Sequence, residues 1–422
     1  MKRMQRILHV AALIFLPIFI TFCASTGLPS LSLNPATQLE SDEKQIWESS
    51  LEEQGKLDKS EKVIQDPLME EYLGDIGLRL LPAPLRDSDL LRFRFKVIND
   101  SALNAFAYPN GAVYVHSGLI ARVENEAQLA TIIAHEMSHS IHRHAVRSIR
   151  NQKNKQLLYI GGVIGLSFLF AILTGQQLEE GDQVGAQVLN NTARILIGLG
   201  LPLAILASVN GYSREMEREA DEVGMGLLAR ADYDLNEAPK VFVLFQETYG
   251  DSVAAENFFF GSHPRNSDRI GNYQELLAGP YAGAAKEESR IKNTEAFLLR
   301  TRVIVRENAL LDIQGGRFNL AQRALDRVIG LTPRDPIAHF YYGELHRLSE
   351  KTAEGEEKAI SRYQIAVEYN PQYPEPFRAI GLVYYGQNKR AEAKEALEKY
   401  LSLEPKAKDR EQIDEYLLEL NS

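Results

Sequence analysis

Cysteine is nearly missing from this chain: the 422 residues contain one, Cys23. No intrachain disulfide can form, so stability must come from packing or from bound metal. Positive charge is also scarce. Lys and Arg total 47 against 57 Asp and Glu, a formal net charge of −10, and no Lys/Arg cluster interleaved with aromatics reverses the sign locally. Such a surface repels a phosphate backbone, and nucleic acid is not an expected partner. Apolar residues are not scarce. At 45% hydrophobic and 25% charged the composition is that of a globular protein, and the length suits about two or three domains.

The N-terminus carries Lys2, Arg3 and Arg6, then an apolar run from Ile7 to Ile20, then small residues. This is the layout of a secretory signal, expected over residues 1–23, with an uncleaved membrane anchor as the alternative. The run is short for a span. Cys23 closes it and is the candidate for lipidation, although the bulky Phe22 stands where bacterial lipoproteins usually carry a small residue. The expected location is therefore the periplasm or cell envelope, with Cys23 as a lipid anchor if acylated. Residues 24–40 read as a linker.

From there the pattern is first mixed and then helical. Ser41 and Asp42 are expected to open a helix with Ile46, Trp47 and Leu51 as its apolar residues, and Asp66 with Pro67 to open a second. Leu91 to Asn99 alternates as a strand does, and Pro109, Asn110 and Gly111 mark a turn between two extended pieces. At "NEAQLATIIAHEMSHSIHRH" the period becomes helical, with Leu129, Ile132 and Ile133 on one face. Two uncharged runs follow, residues 157–174 and 195–209. The second holds Gly198, Gly200 and Pro202 and is too short to span, so 157–209 reads as an apolar helical hairpin that covers the catalytic domain or dips into a membrane surface; a transmembrane pair is the alternative.

The last third repeats. Pro333, Pro371 and Pro405 lie 38 and 34 residues apart, each after an apolar helical stretch. Phe377, Ile380, Gly381, Tyr384, Ala393, Leu397 and Pro405 fall at tetratricopeptide positions. The middle unit matches through Gly343, Ala359, Tyr363, Ala366 and Pro371, and the first keeps Ala321, Leu325 and Pro333 but has Ala309 in place of the glycine. Stacked helix pairs of this kind leave a concave groove for peptides or partner proteins, unless so short an array merely caps its neighbour.

Four of the nine histidines lie in "ATIIAHEMSHSIHRHA". His135 and His139 are four apart, so on a helix both imidazoles leave one face and can reach one zinc ion. Glu136 lies between them, placed to take a proton from water without ligating, which is the HExxH arrangement of zinc peptidases. His142 is on the same stripe but about 10 Å along the axis, too far to share the ion, and His144 is expected to point elsewhere. Both read as solvent-facing residues or as supports for the ligands. The metzincin pattern is excluded because it needs Gly at 142 and His at 145, where this chain has His142 and Ala145. The missing ligand must come from another helix. "REMEREADE" offers Glu217 and Asp221 four apart on one face, with a solvated charged helix as the plain alternative.

"NAFAYPNGAVYVHSGL", "NEAQLATIIAHEMSH", "SREMEREADEVG" and "SHPRNSDRI" resemble, in order, the sequence blocks of the BepA-like periplasmic metalloproteases, relatives of the HtpX and CAAX-prenyl endopeptidases. The resemblance spans about residues 40–275, and many members carry C-terminal tetratricopeptide repeats. It implies one Zn2+ per chain held by His135, His139 and Glu217, with Glu136 as general base and Asp221 and Arg269 as supports. His263, before Pro264, would approach the site from a loop. Ala112, Val113, Tyr114 and Val115 would form an edge strand on which substrate lies. Relatives usually read Pro-Gly-Gly where this chain reads Pro109-Asn110-Gly111, which asks Asn110 to accept a turn conformation.

The expected fold is an α+β zincin-like metalloprotease domain over 41–290, mostly helical with a small sheet, then an all-α tetratricopeptide repeat domain over 291–422. The expected activity is zinc-dependent endopeptidase cleavage of misfolded or incompletely assembled envelope proteins. Envelope or outer-membrane assembly proteins would bind through the repeats. A chaperone-like repeat scaffold with a latent protease is the alternative.

Overall fold

A computed structural model describes residues 28–31, 38–86, 91–154, 212–249, 266–287 and 289–421. Cys23, His263 and the apolar runs 157–174 and 195–209 lie outside the described residues. Among the described residues no helix is long and apolar enough to cross a membrane. The chain divides into two compact units, one within Met1–Ile98, Leu103–Val115 and Ala127–Lys292, the other within Asn99–Ala102, His116–Glu126 and Asn293–Ser422.

The first unit is built on a four-stranded sheet of order β1-β2-β4-β3, with β1 Val63–Ile64, β2 Arg94–Ile98, β3 Ala105–Ala107 and β4 Ala112–His116. β1 pairs antiparallel with β2 (Val63 opposite Ile98), and β3 with β4 (Phe106 opposite Tyr114). One face buries Leu57, Val63, Ile98, Phe106, Tyr108 and Tyr114, with the Phe106 and Tyr114 rings stacked at 5.3 Å. The strand expected at the edge is interior: Ala112, Val113, Tyr114 and Val115 in β4 are flanked by β2 and β3 and wholly buried. A run that is apolar on both faces suits a central position, and the edge falls to β3. The turn between them also differs from expectation. Gly111, not Asn110, takes the left-handed conformation, at φ 88°, which a residue without Cβ adopts freely. Asn110 instead accepts a 2.7 Å hydrogen bond from Gln54.

Helix α1 (Ser41–Leu57) starts after Glu40, without the side-chain cap expected of Ser41 or Asp42. Its inner face is largely polar: Glu43, Ser50, Glu53, Gln54 and Leu57 are buried, Ile46 and Trp47 on the same stripe are half-buried, and Leu51 is half exposed. Helix α2 (Pro67–Leu80) follows the sequence signal, Asp66 accepting from the N–H groups of Leu68 and Met69 at 3.1 Å. After the short α3 (Ala83–Arg86) and α4 (Ser117–Arg122) comes α5 (Glu126–Ile141). It is buried all round, not on one face. Its polar side chains are accommodated there by hydrogen bonds: Thr131 to the Ala127 carbonyl, Ser138 to that of Ala134, Ser140 to that of Tyr108, and Gln128 to Glu237. Among the described residues, helices α6 (His144–Asn154), α7 (Arg214–Arg230), α8 (Glu237–Tyr249) and α9 (Asn266–Ala278) follow.

The second unit stacks helix pairs α10 (Thr294–Gln314) with α11 (Phe318–Leu331), α12 (Pro336–Glu350) with α13 (Ala353–Tyr369), and α14 (Pro374–Gly386) with α15 (Arg390–Leu403), followed by α16 (Arg410–Asn421). Each second helix ends two residues before the repeat proline. Gly343 has its reason in the packing, since a Cβ there would lie 2.3 Å from the Tyr363 ring. α4 belongs to this unit through a buried polar cluster. Asp312 on α10, fully buried, accepts from Arg122 at 2.7 Å, from Arg317 at 2.8 Å and from Asn308 at 3.0 Å, and Ser117 donates to Asn308 at 3.0 Å.

Asp312→Ala would strand two guanidiniums and is expected to cost about 3–5 kcal/mol. Urea unfolding of the full chain measures this, and a loss below ~1 kcal/mol would show that the cluster does not hold the unit together.

Candidate metal centre

Helix periodicity brings His135 and His139 to one face of α5, with their rings 4.6 Å apart. α7 runs past them, started by Ser213, whose hydroxyl accepts from the Met216 N–H. Its inward residues include Glu217, Ala220, Asp221 and Gly224, a helical stripe, so the "REMEREADE" segment keeps Arg214, Glu215, Arg218 and Glu222 in solvent but buries the face that carries Glu217 and Asp221. Three side chains meet there. His135 Nε2 and His139 Nε2 are 3.0 Å apart, His135 Nε2 is 3.3 Å from Glu217 Oε2, and His139 Nε2 is 3.6 Å from Glu217 Oε1. Ligands at 2.0–2.2 Å from a tetrahedral ion stand about 3.3 Å from one another, so this cluster has the dimensions of a zinc site. The donor set, two imidazoles and a carboxylate, fits as well.

The charges point the same way. Glu136, Glu217 and Asp221, each no more than 2% exposed, share the interior with the guanidinium of Arg269, which is also fully buried. Burial first, then the neighbouring Glu217, pushes the Glu136 carboxyl well above its ordinary range, against the pull of Arg269 and of the Ala107 N–H that donates to it. Burial raises Glu217 too, opposed by His135 and Arg269. Asp221 goes the other way: burial resists its ionisation, but Arg269 and His135 outweigh burial and hold it below the carboxylate range. Three carboxylates against one guanidinium is an interior that a divalent cation would balance.

Arg269, on α9, is positioned by packing over the Phe242 ring, 4.2 Å from its centroid. It donates to Asp221 through Nε at 3.2 Å and Nη2 at 2.5 Å. Asp221 Oδ1 lies 3.0 Å from His135 Nδ1. An ionised carboxylate only accepts, so Nδ1 carries the proton and Nε2 keeps its lone pair for the ion. The 2.7 Å approach of Arg269 Nη2 to the same Nδ1 is then two donors converging on one oxygen rather than a hydrogen bond.

Two other residues join the site without having been marked by spacing. Tyr212 stacks on the His139 ring, centroids 4.1 Å apart and 18° from parallel; burial, then Glu136 and Glu217, raises its hydroxyl pKa. Glu219, two residues past Glu217, meets His142 at 2.7 Å, His144 at 3.1 Å and Arg147 at 2.8 Å. His144 does not point elsewhere as the continuous-helix argument required: it is fully buried, with Nδ1 2.8 Å from Nδ1 of His139. The reason is a break between α5 and α6 at Arg143, which sits at φ 57°. That left-handed residue is held by its ion pair with the buried Glu43 of α1. His142 is half-buried and stays out of the cluster around Glu217. The only sequence signal for Glu219 was its place in the charged run, and for Tyr212 its place beside the cap of α7.

The profile of Peptidase family M48 matches residues 67–277, half of the chain, and a tetratricopeptide repeat profile matches 306–371. The chain belongs to Peptidase family M48. A relative from Vibrio cholerae is 31% identical over 216 residues, covering 51% of this chain and 40% of its own length. The beta-barrel assembly-enhancing protease of Escherichia coli is 32% identical over 180 residues, 43% of this chain and 33% of that protein. The mitochondrial metalloendopeptidase OMA1 of Schizosaccharomyces pombe is 30% identical over 199 residues, 47% of this chain and 50% of its own. The matched stretches thus span half or less of these relatives. As an M48 chain followed by tetratricopeptide repeats, the protein has the α+β protease fold and the all-α second part expected from its sequence.

Arg269→Met would leave Asp221 buried without its cation. It is expected to lower the stability of the metal-depleted protein by about 3–5 kcal/mol, read from the urea midpoint in chelator. An unchanged midpoint would mean that the buried carboxylates do not depend on this guanidinium.

Proposed function

We propose that this M48 chain is a zinc-dependent metalloendopeptidase of the bacterial cell envelope that holds one Zn2+ through His135, His139 and Glu217. The observation that carries the reading is the convergence of two imidazole nitrogens and a carboxylate within 3.0–3.6 Å in a buried, negatively charged interior. A zinc ion there supplies Lewis acidity and brings the pKa of water toward ~7. Asp221 keeps His135 in the ligating tautomer, and Arg269 orients Asp221. Glu136, its affinity for protons raised by burial, takes the proton of the attacking water on its carboxylate and returns it to the nitrogen of the leaving amine. The Ala107 N–H holds that carboxylate against the end of β3, and a substrate in extended form would lie along β3 as an added strand. His263 would approach from its loop to fill the open metal position at rest or to stabilise the oxyanion.

The substrates would be misfolded or incompletely assembled envelope proteins, a reading supported on the side of assembly by the E. coli relative's name, beta-barrel assembly-enhancing protease. The repeats would recruit those substrates or the assembly proteins that handle them. The signal-like N-terminus supports export to the periplasm, with Cys23 as the candidate lipid anchor.

Glu136→Gln is expected to lower cleavage of casein by about 10²–10⁴-fold while one equivalent of zinc stays bound. Cleavage at the wild-type rate would sink the protease assignment of Glu136. Full complementation of a deletion strain by the same variant would favour the scaffold with a latent protease.

A further inference from the structure

The two proposed histidine ligands are supported by different devices. His135 meets a carboxylate directly, Asp221 Oδ1 at 3.0 Å from Nδ1. His139 meets another imidazole: its Nδ1 is 2.8 Å from Nδ1 of His144. His144 in turn places Nε2 3.1 Å from Oε2 of Glu219. Glu219 is anchored from outside by Arg147 Nη1, 2.8 Å from Oε2, and by His142 Nδ1, 2.7 Å from Oε1.

The protons along this line can be assigned from its far end. An ionised carboxylate only accepts, so His144 Nε2 carries a hydrogen. A neutral ring then has its lone pair on Nδ1, and the 2.8 Å contact requires His139 to donate through Nδ1–H. That leaves the His139 lone pair on Nε2, the atom that faces His135 and Glu217. Resting on the metal-centre reading above, we propose that His144 and Glu219 are positioning residues for His139, forming a Glu219–His144–His139 hydrogen-bonded chain that fixes the tautomer and ring angle of the ligand. α7 thereby supplies a proposed ligand and the terminal supports of both histidine ligands, at 217, 221 and 219.

His142, His144 and Glu219 could also hold an ion by themselves, since their donor atoms lie within 4.8 Å of one another. The geometry disfavours this. The Arg147 guanidinium already occupies Glu219 Oε2, and His144 Nε2 needs its proton to keep His139 in the ligating form.

The test is zinc affinity of the full chain, measured by competition with a chromophoric chelator, beside the melting temperature of the metal-free protein. Glu219 has a third of its side chain exposed, so Glu219→Ala should fold and leave the metal-free melting temperature nearly unchanged. It is expected to weaken zinc binding by about 10–100-fold. His144→Ala should weaken it as much, and the double variant no further, because both act through one path. Glu222→Ala, on the exposed side of α7, should bind as the wild type does. If His144→Ala does not fold, the Glu219→Ala and Glu222→Ala pair still decides. Unchanged affinity in Glu219→Ala, additive losses in the double variant, or two zinc ions per wild-type chain would overturn the proposal. A wild type with one ion that Glu217→Ala loses, together with an unaffected Glu219→Ala, sinks this inference alone. A wild type that binds no ion sinks the metal-centre reading with it.

Discussion

Much of the first unit depends on one electrostatic constraint: Glu136, Glu217 and Asp221 are enclosed with the Arg269 guanidinium in an interior of very low exposure. Unbalanced carboxylates at such low exposure, where only the reacting water need enter, are costly, and each is answered by a specific placement. Arg269 sits between Asp221 and the Phe242 ring, the Ala107 N–H reaches Glu136, and the imidazoles of His135 and His139 face Glu217. α5, α7, α9 and the end of β3 are therefore tied at a point, and the chemistry proposed for the site needs the same arrangement as the packing.

The second constraint is the break after Ile141. A helix continuing through Arg143 would carry the His144 ring away from His139. The left-handed Arg143, held by Glu43 of α1, turns it back. The polar inner face of α1 thus has a purpose that its apolar residues do not reveal: Glu43 meets Arg143 just before α6, while Glu40 and Asp42 at the start of α1 meet Arg150 within α6. Both buried ion-pair clusters, here and at Asp312 in the second unit, trade desolvation for geometry.

Expectations from local pattern held where the local rule was the dominant energy. The four-residue spacing of His135 and His139, the Asp66–Pro67 start of α2, and the repeat helices ending two residues before Pro333, Pro371 and Pro405 are all set by neighbours along the chain. Expectations failed where a distant partner decided. The apolar residues Ile46, Trp47 and Leu51 gave no sign that Glu43 and Gln54 of α1 would be buried against partners on other elements. Val113 and Val115 fitted an edge strand as well as a central one, and the choice depends on which strands flank β4.

Spacing along the chain suffices for a histidine pair able to share an ion, the acid placed between them, and the helical repeats, because helix geometry converts spacing into direction over a few residues. It takes the packed chain to bring Glu217 to face that pair, to return His144 to the far side of His139 with Glu219 behind it, and to put β3 rather than β4 at the sheet edge. Those placements depend on segments far apart in the chain being forced together by the burial of apolar surface and the pairing of buried charge, and no local spacing encodes them.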